Sequence, residues 1–180
     1  MGASHLMMAG QAYYSLPFVH SPQARARELR LPLRFVESFR VCALDDATKT
    51  SAQRFIESWS IDDVYDRFGT LGSNAREWLT TELLRGERPA LVALHADRVV
   101  GLLDYVYAQG AIHFGIVVDS RYRRSSIGSH LLAALLRLKT PAHPVAAECR
   151  IDNRPAVALL RGSQFQCTCV ERHEMIWQHA

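Results

Sequence analysis

Residues Ile116 to Lys139, IVVDSRYRRSSIGSHLLAALLRLK, bring together the residue types that anion binding needs. A short apolar run (Ile116, Val117, Val118) reads as a buried strand. A basic loop of small residues follows, with Arg121, Arg123, Arg124, Ser125, Ser126 and Gly128. Then comes a helical pattern, with Ile127, Leu131, Ala134, Leu135 and Leu138 at the spacing of one face. A small-residue loop opening a helix leaves first-turn N–H groups unpaired, and the helix dipole makes that end positive. Such an end cradles phosphate or carboxylate groups. The plainer reading is an ordinary strand–turn–helix connection with a solvated basic loop. The coincidence of strand, loop, arginines and amphipathic helix favours the anion site.

The same residues resemble a family. Val118 to Leu132 resembles the acyl-CoA-binding signature of the GNAT superfamily of N-acyltransferases. That signature has Gln or Arg, two free positions, Gly, one free position, then Gly or Ala. Arg123 and Gly128 match its ends, while Ser126 replaces the inner glycine. Asn153, Ala156, Leu159 and Leu160, ahead of Phe165, resemble a later family stretch, with Leu160 at its usual Tyr and Gln164 at its usual Gly. The resemblance runs over about residues 33 to 178. It implies an α/β (α+β) fold, a three-layer α/β/α sandwich around one mixed, largely antiparallel, twisted sheet. It also implies acetyl-CoA or another acyl-CoA as co-substrate, with no metal. On that reading a main-chain N–H of the strand Ile116, Val117, Val118 faces the thioester oxygen, and the same strand hydrogen-bonds the pantetheine amides. Loop N–H groups of Arg123, Arg124, Ser125, Ser126, Ile127, Gly128 and Ser129 hold the pyrophosphate. Asn153, Ala156 and Leu159 complete the cofactor site, and Asn153 also reads as a helix cap.

Members of this superfamily transfer an acyl group to an amine, usually by direct attack. The amine must lose a proton, the thioester oxygen must be stabilised, and the leaving thiolate needs a proton. His113, just before the cradle, is the candidate base, with an unperturbed pKa near 6.5. Tyr105 and Tyr107 are alternative lining groups, though strand aromatics are more often core. Leu160 has no proton to give, so water or Ser163 is expected to protonate the thiolate. The acceptor is a primary amine of a small molecule or a protein. Ser60, Tyr65, Arg67 and Phe68 resemble a segment of protein-acetylating members, although a capped helix with Tyr65 and Phe68 packed inwards explains them better. A non-catalytic acyl-CoA sensor or interaction module is the alternative function, argued from Leu160 and Ser126. A nucleotide-phosphate binder without thioester chemistry is a third. Cys167, Cys169 and His173 are soft ligands, with both cysteines expected on one strand face, but no fourth is apparent and half-buried strand cysteines account for them better.

These residues must be positioned by one domain. The chain has 180 residues, 48% hydrophobic and 22% charged, as a globular protein with a sizeable core would be. A net charge of +3 is too mild to argue for nucleic acid, and no apolar run spans a bilayer. Four cysteines form no disulfide framework, so a reduced, cytoplasmic protein is expected, with a homodimer left open. Residues 1–30 are expected to be an arm, partly disordered or a cloning remnant, with no signal-peptide pattern. The acyltransferase domain is expected over 31–180.

Within it, Leu33 to Ala43 reads as a strand, and Asp45 or Asp46 caps a helix to about Trp59. Ser60 and Asp63 form a capping box, and Asn74 and Glu77 start a helix that stops at Gly86. A hairpin turning at Asp97-Arg98 leads through a Gln109-Gly110 turn into the strand Ala111 to Val118. A strand at Val145 to Ile151, a helix over 155–161 and two closing strands follow, giving one mixed sheet covered on both faces.

Overall fold

The structure, a computed structural model, describes residues 29–30, 39–70, 74–140 and 143–179. Its strands are β1 (Leu29–Arg30), β2 (Arg40–Ala43), β3 (Ala90–His95), β4 (Arg98–Ala108), β5 (Ala111–Val118), β6 (Val145–Arg150), β7 (Gln166–Glu171) and β8 (Glu174–His179). Its helices are α1 (Lys49–Glu57), α2 (Ile61–Phe68), α3 (Asn74–Arg85), α4 (Ile127–Leu136) and α5 (Arg154–Gly162). The strands form one sheet in the order β1-β2-β3-β4-β5-β6-β8-β7. Every adjacent pair is antiparallel except β5 and β6, which run parallel. The expected mixed, largely antiparallel sheet is therefore observed. Residues 1–28 of the expected arm, and 31–38, which include 33–38 of the expected first strand, lie outside the described residues. Leu29–Arg30, at the end of that arm, pairs with β2.

Local chemistry sets the element ends. Ala96 and Asp97 (φ 45° and 62°) and Gln109 and Gly110 (φ 52° and 75°) are left-handed pairs, the backbone of tight two-residue hairpin turns. The Ser60–Asp63 capping box forms as expected, and α2 ends on Gly69 in the left-handed conformation. Asp45 starts its helix through a reciprocal pair. Its carboxylate accepts the Thr48 N–H (3.0 Å), and its own N–H donates to Thr48 Oγ1 (3.0 Å). Regular α1 then begins four residues on, at Lys49.

Side-chain alternation sorts the core into two layers. Leu91 and Ala93 of β3 join α4 and α5 through Leu131, Leu132, Leu135 and Leu160. Ala90, Val92 and Leu94 join α1, α2 and α3 through Phe55, Ile56, Phe68, Leu79 and Leu83. Each fully buried leucine contributes about 1.5–3 kcal/mol relative to exposure. Gly101 lets α4 settle on β4, since a Cβ there would meet Ile127 Cγ2 at 2.9 Å. Among the described residues no helix is long and apolar enough to cross a membrane.

Candidate active site

The cleft begins where the parallel pair comes apart. β5 and β6 are in register only at Ile112–Val145 and His113–Ala146, and beyond these the strands separate. Two hydrogen bonds set the phase of β5. Ile112 N–H donates to the Pro144 carbonyl (2.8 Å), on the β6 side, and Asp119 N–H donates to the Val100 carbonyl (2.9 Å), on the β4 side. Alternation then turns the main-chain groups of Phe114, Ile116 and Val118 into the gap. Val117 is placed differently from its neighbours. Its main chain faces β4, opposite Leu102, and its side chain packs with α1–α3.

The loop after β5 supplies the second wall. Arg124 and Ser126 take left-handed backbone (φ 61° and 64°). Ser126 is the N-cap of α4 but makes no side-chain cap, and its carbonyl accepts the first helical bond from His130 (3.0 Å). The N–H groups of Ile127, Gly128 and Ser129 thus open the helix at its positive end. The loop arginines are spent differently from one another. Arg121 pairs with Asp119 (2.7 Å), whereas Arg123 reaches Asp63 of α2 and donates through Nε to the Val118 carbonyl (3.3 Å). A Cβ on Gly128 would sit 3.5 Å from Leu159 and 3.8 Å from Ile116, ordinary contacts that an alanine would also make.

Helix α5 closes the far side. Asn153 Oδ1 accepts the Ala156 N–H (3.0 Å), so Asn153 is the helix cap as well as a cleft residue. Leu160 is buried at the wall. Ser163 ends α5 and does not border the cleft, so it is not placed to protonate a thiolate. The cleft has a volume of about 780 Å³ and is bordered by every cofactor-site residue expected from the sequence except Ser125.

The α1–α3 side carries groups that the motifs did not point to. His113, Gly115 and Val117 share one face of β5, with Asp104 and Val106 beside them on β4. Asp104 is completely buried. It accepts from Arg67 Nε (3.2 Å) and Nη2 (2.7 Å), and from Arg88 Nε (2.5 Å). Burial alone would raise the Asp104 carboxyl, but the two guanidiniums hold it below the usual carboxylate range. Burial pushes the His113 imidazole below its ordinary value, with a hydrogen bond to the Ala108 backbone pulling the other way. Asp66 of α2 also borders the cleft, and partial burial raises its carboxyl against the pull of Arg150 and Arg123.

The sequence matches the Acetyltransferase (GNAT) family over residues 44–165. The chain belongs to the GNAT acetyltransferase family. Solved structures agree on the fold. The GNAT domain of S. lividans PAT superposes with a TM-score of 0.70 at 16% identity, covering 84% of this chain and 96% of that one. The ribosomal-protein-S5-alanine acetyltransferase of Vibrio fischeri gives 0.62 at 13%, covering 83% and 94%. The PaiA N-acetyltransferase of Thermoplasma acidophilum, solved with coenzyme A, gives 0.61 at 12%, covering 78% and 98%. No curated protein matches the sequence significantly.

Within the GNAT frame, two expectations change. Tyr105 and Tyr107 do not line the cleft. They face the α4–α5 layer, where Tyr107 meets His143 edge-on (5.5 Å), and burial with Tyr107 nearby pushes the Tyr105 phenol up to about 12. Cys167 and Cys169 do not share a strand face. The register shifts between them, so they oppose Trp177 and Ile176, successive residues of β8 that point to opposite faces. Among the described residues, no group of three or more His, Cys, Asp or Glu is gathered as a metal site. Arg67, Arg88 and Asp104 had one readable signal, an aspartate inside the apolar run of β4.

Proposed function

We propose that this GNAT protein transfers an acetyl group from acetyl-CoA to a primary amine by direct attack in a ternary complex. The observation that carries the reading is the separation of β5 from β6 beside the left-handed loop that opens α4. The donor set suits a diphosphate joined to an amide-bearing arm. Ile127, Gly128 and Ser129 offer N–H groups to the diphosphate, and Ile116 with the Val118 N–H offers a strand edge to the arm, the Val118 carbonyl being taken by Arg123. Acetyl-CoA supplies a thioester carbon that the amine attacks, with the carbon–sulfur bond breaking and coenzyme A leaving.

His113 is the proposed base. Being neutral at pH 7, it can accept the proton that the amine loses. A strand N–H facing the developing oxyanion stabilises it without reorganisation. Leu160 cannot protonate the thiolate, which leaves water as the donor. The acceptor is either a small molecule or a protein, and a cytoplasmic location accompanies this reading.

The test is release of free thiol from acetyl-CoA with a panel of small amines, peptides and proteins. Turnover with at least one acceptor is expected. A non-catalytic acyl-CoA sensor is favoured by the buried Leu160, and tight CoA binding with no turnover across the panel would establish it instead.

A further inference from the structure

The Arg67–Asp104–Arg88 cluster carries more charge than a structural tie requires. One guanidinium would neutralise Asp104, yet two surround it, with side-chain exposures of only 12% and 9%. Both border the cleft. Asp104 occupies the Nε–Nη2 edge of Arg67 and only the Nε of Arg88, so the other donors of the planar groups are directed elsewhere. Surplus charge in a wall of low dielectric is costly until an anion meets it.

Four acids also border the cleft: Asp63 and Asp66 of α2, and Glu148 of β6 and Glu174 of β8, the last two on strands across the gap from β5. Asp63 is engaged with Arg123, and Asp66 feels Arg150 and Arg123 rather than this pair. Glu82 of α3 feels the charge of Arg88 but does not border the cleft.

Gly115 places the charge where the reaction would occur. A Cβ there would fall 1.9 Å from Arg67 Cζ, so the guanidinium lies directly on the β5 backbone. His113 and Val117 are two residues away on the same face, roughly 7 Å along the strand. A bare alkylammonium approaching His113 would meet the Arg67 guanidinium on the same face of β5. An amine with its own carboxylate a few bonds away would bring the matching anion.

We propose that the acceptor carries a carboxylate close to its reacting amine, and that Arg67 and Arg88 bind this carboxylate. The proposal rests on the acetyl-transfer reading above. It makes the two arginines specificity-determining residues for amino-acid-like acceptors.

The experiment compares amines differing by one carboxylate, with acetyl-CoA saturating: glycine with methylamine, β-alanine with ethylamine, and 4-aminobutyrate with propylamine. For at least one pair the carboxylated member should have kcat/KM higher by about tenfold or more, and Arg88→Gln should abolish most of that advantage with CoA affinity unchanged. Turnover with all pairs within about threefold would overturn the proposal. So would an advantage that survives Arg88→Gln. A carboxylate preference confined to the acyl donor, succinyl-CoA over butyryl-CoA with a plain amine, would also overturn it.

Failure of the acetyl-transfer reading is distinguishable, because then no amine releases thiol. Calorimetry on the CoA-loaded wild-type protein decides the carboxylate question in that case. N-acetylglycine should bind about tenfold tighter than N-methylacetamide, and equal affinities would overturn the assignment.

Discussion

Asp63 divides its carboxylate between two tasks: Oδ2 caps α2 by accepting the Ser60 N–H (2.9 Å), and Oδ1 accepts from Arg123 of the loop after β5. The anion cradle is thereby tied to the helix on the other side of the cleft. The tie also neutralises the loop arginine nearest the strand. Asp63→Asn keeps a capping oxygen but removes the charge. Its cost in stability should be under about 1 kcal/mol, because Arg123 is half exposed and screened by solvent. CoA should bind more tightly to the variant, with a steeper salt dependence, as titration at two ionic strengths would reveal. Unchanged affinity at low salt would mean that Arg123 has no influence on the cradle.

Ser126 holds a left-handed backbone (φ 64°) that L-residues adopt at a cost and glycine does not. The family signature has glycine at this position, and this chain keeps the glycine conformation with a serine. Ser126→Gly should therefore stabilise the protein by roughly 0.4–1 kcal/mol, read as a higher melting temperature, and leave CoA binding intact. Ser126→Val should do the reverse on both counts, since a branched side chain strains the turn and crowds the helix opening. Ser125 is not in the left-handed region, so Ser125→Gly is the control and should not stabilise.

Asp104 and Gly115 can be tested through stability alone. Asp104→Asn leaves two buried guanidiniums without their carboxylate and should cost about 3–5 kcal/mol at pH 7. The folded-state carboxyl is held below its unfolded value, so its contribution is complete above the unfolded pKa near 3.9 (about) and is lost as pH falls through the folded value. Urea unfolding of both proteins should therefore show a constant gap from pH 5 to 7, on the order of that 3–5 kcal/mol, that narrows below about pH 4. A gap independent of pH throughout would refute the ion-pair account. Gly115→Ala should destabilise as well, because the new methyl displaces Arg67 from Asp104.

What the sequence made legible was local. The Ser60–Asp63 box, the stop at Gly86 and the turn at Gln109-Gly110 each depend on residues within a few positions of one another. The cradle was legible for the same reason, since strand, loop and helix are contiguous. Asp104 was not, because its partners lie 37 and 16 residues upstream and no spacing rule joins them. Tyr105 and Tyr107 were misplaced because β4 is apolar on both faces, and such a run has no period to show which face meets the cleft. The bulge that separates Cys167 from Cys169 is equally silent in sequence, since it is set by pairing with β8. Val117 borders the cleft as expected of a site residue, with its main chain turned to β4 by the strand's alternation.

His113 offers the most direct test of the chemistry. Burial lowers its pKa from the ordinary 6.5, so the neutral imidazole persists to more acidic pH than a solvent-exposed histidine would allow. If His113 takes the amine proton, kcat/KM should fall on the acid side with an apparent pKa below 6.5. His113→Gln should lower kcat by about 10²–10⁴-fold and remove that limb, while CoA affinity stays the same. Stability gives an independent check on the environment. Because the folded pKa is depressed, unfolding is favoured as pH falls from the unfolded value towards the folded one, and His113→Gln should abolish that part of the pH dependence. A variant that keeps wild-type turnover and the same acid limb would exclude His113 as the base and direct attention to the carboxylates bordering the cleft, Asp66 among them.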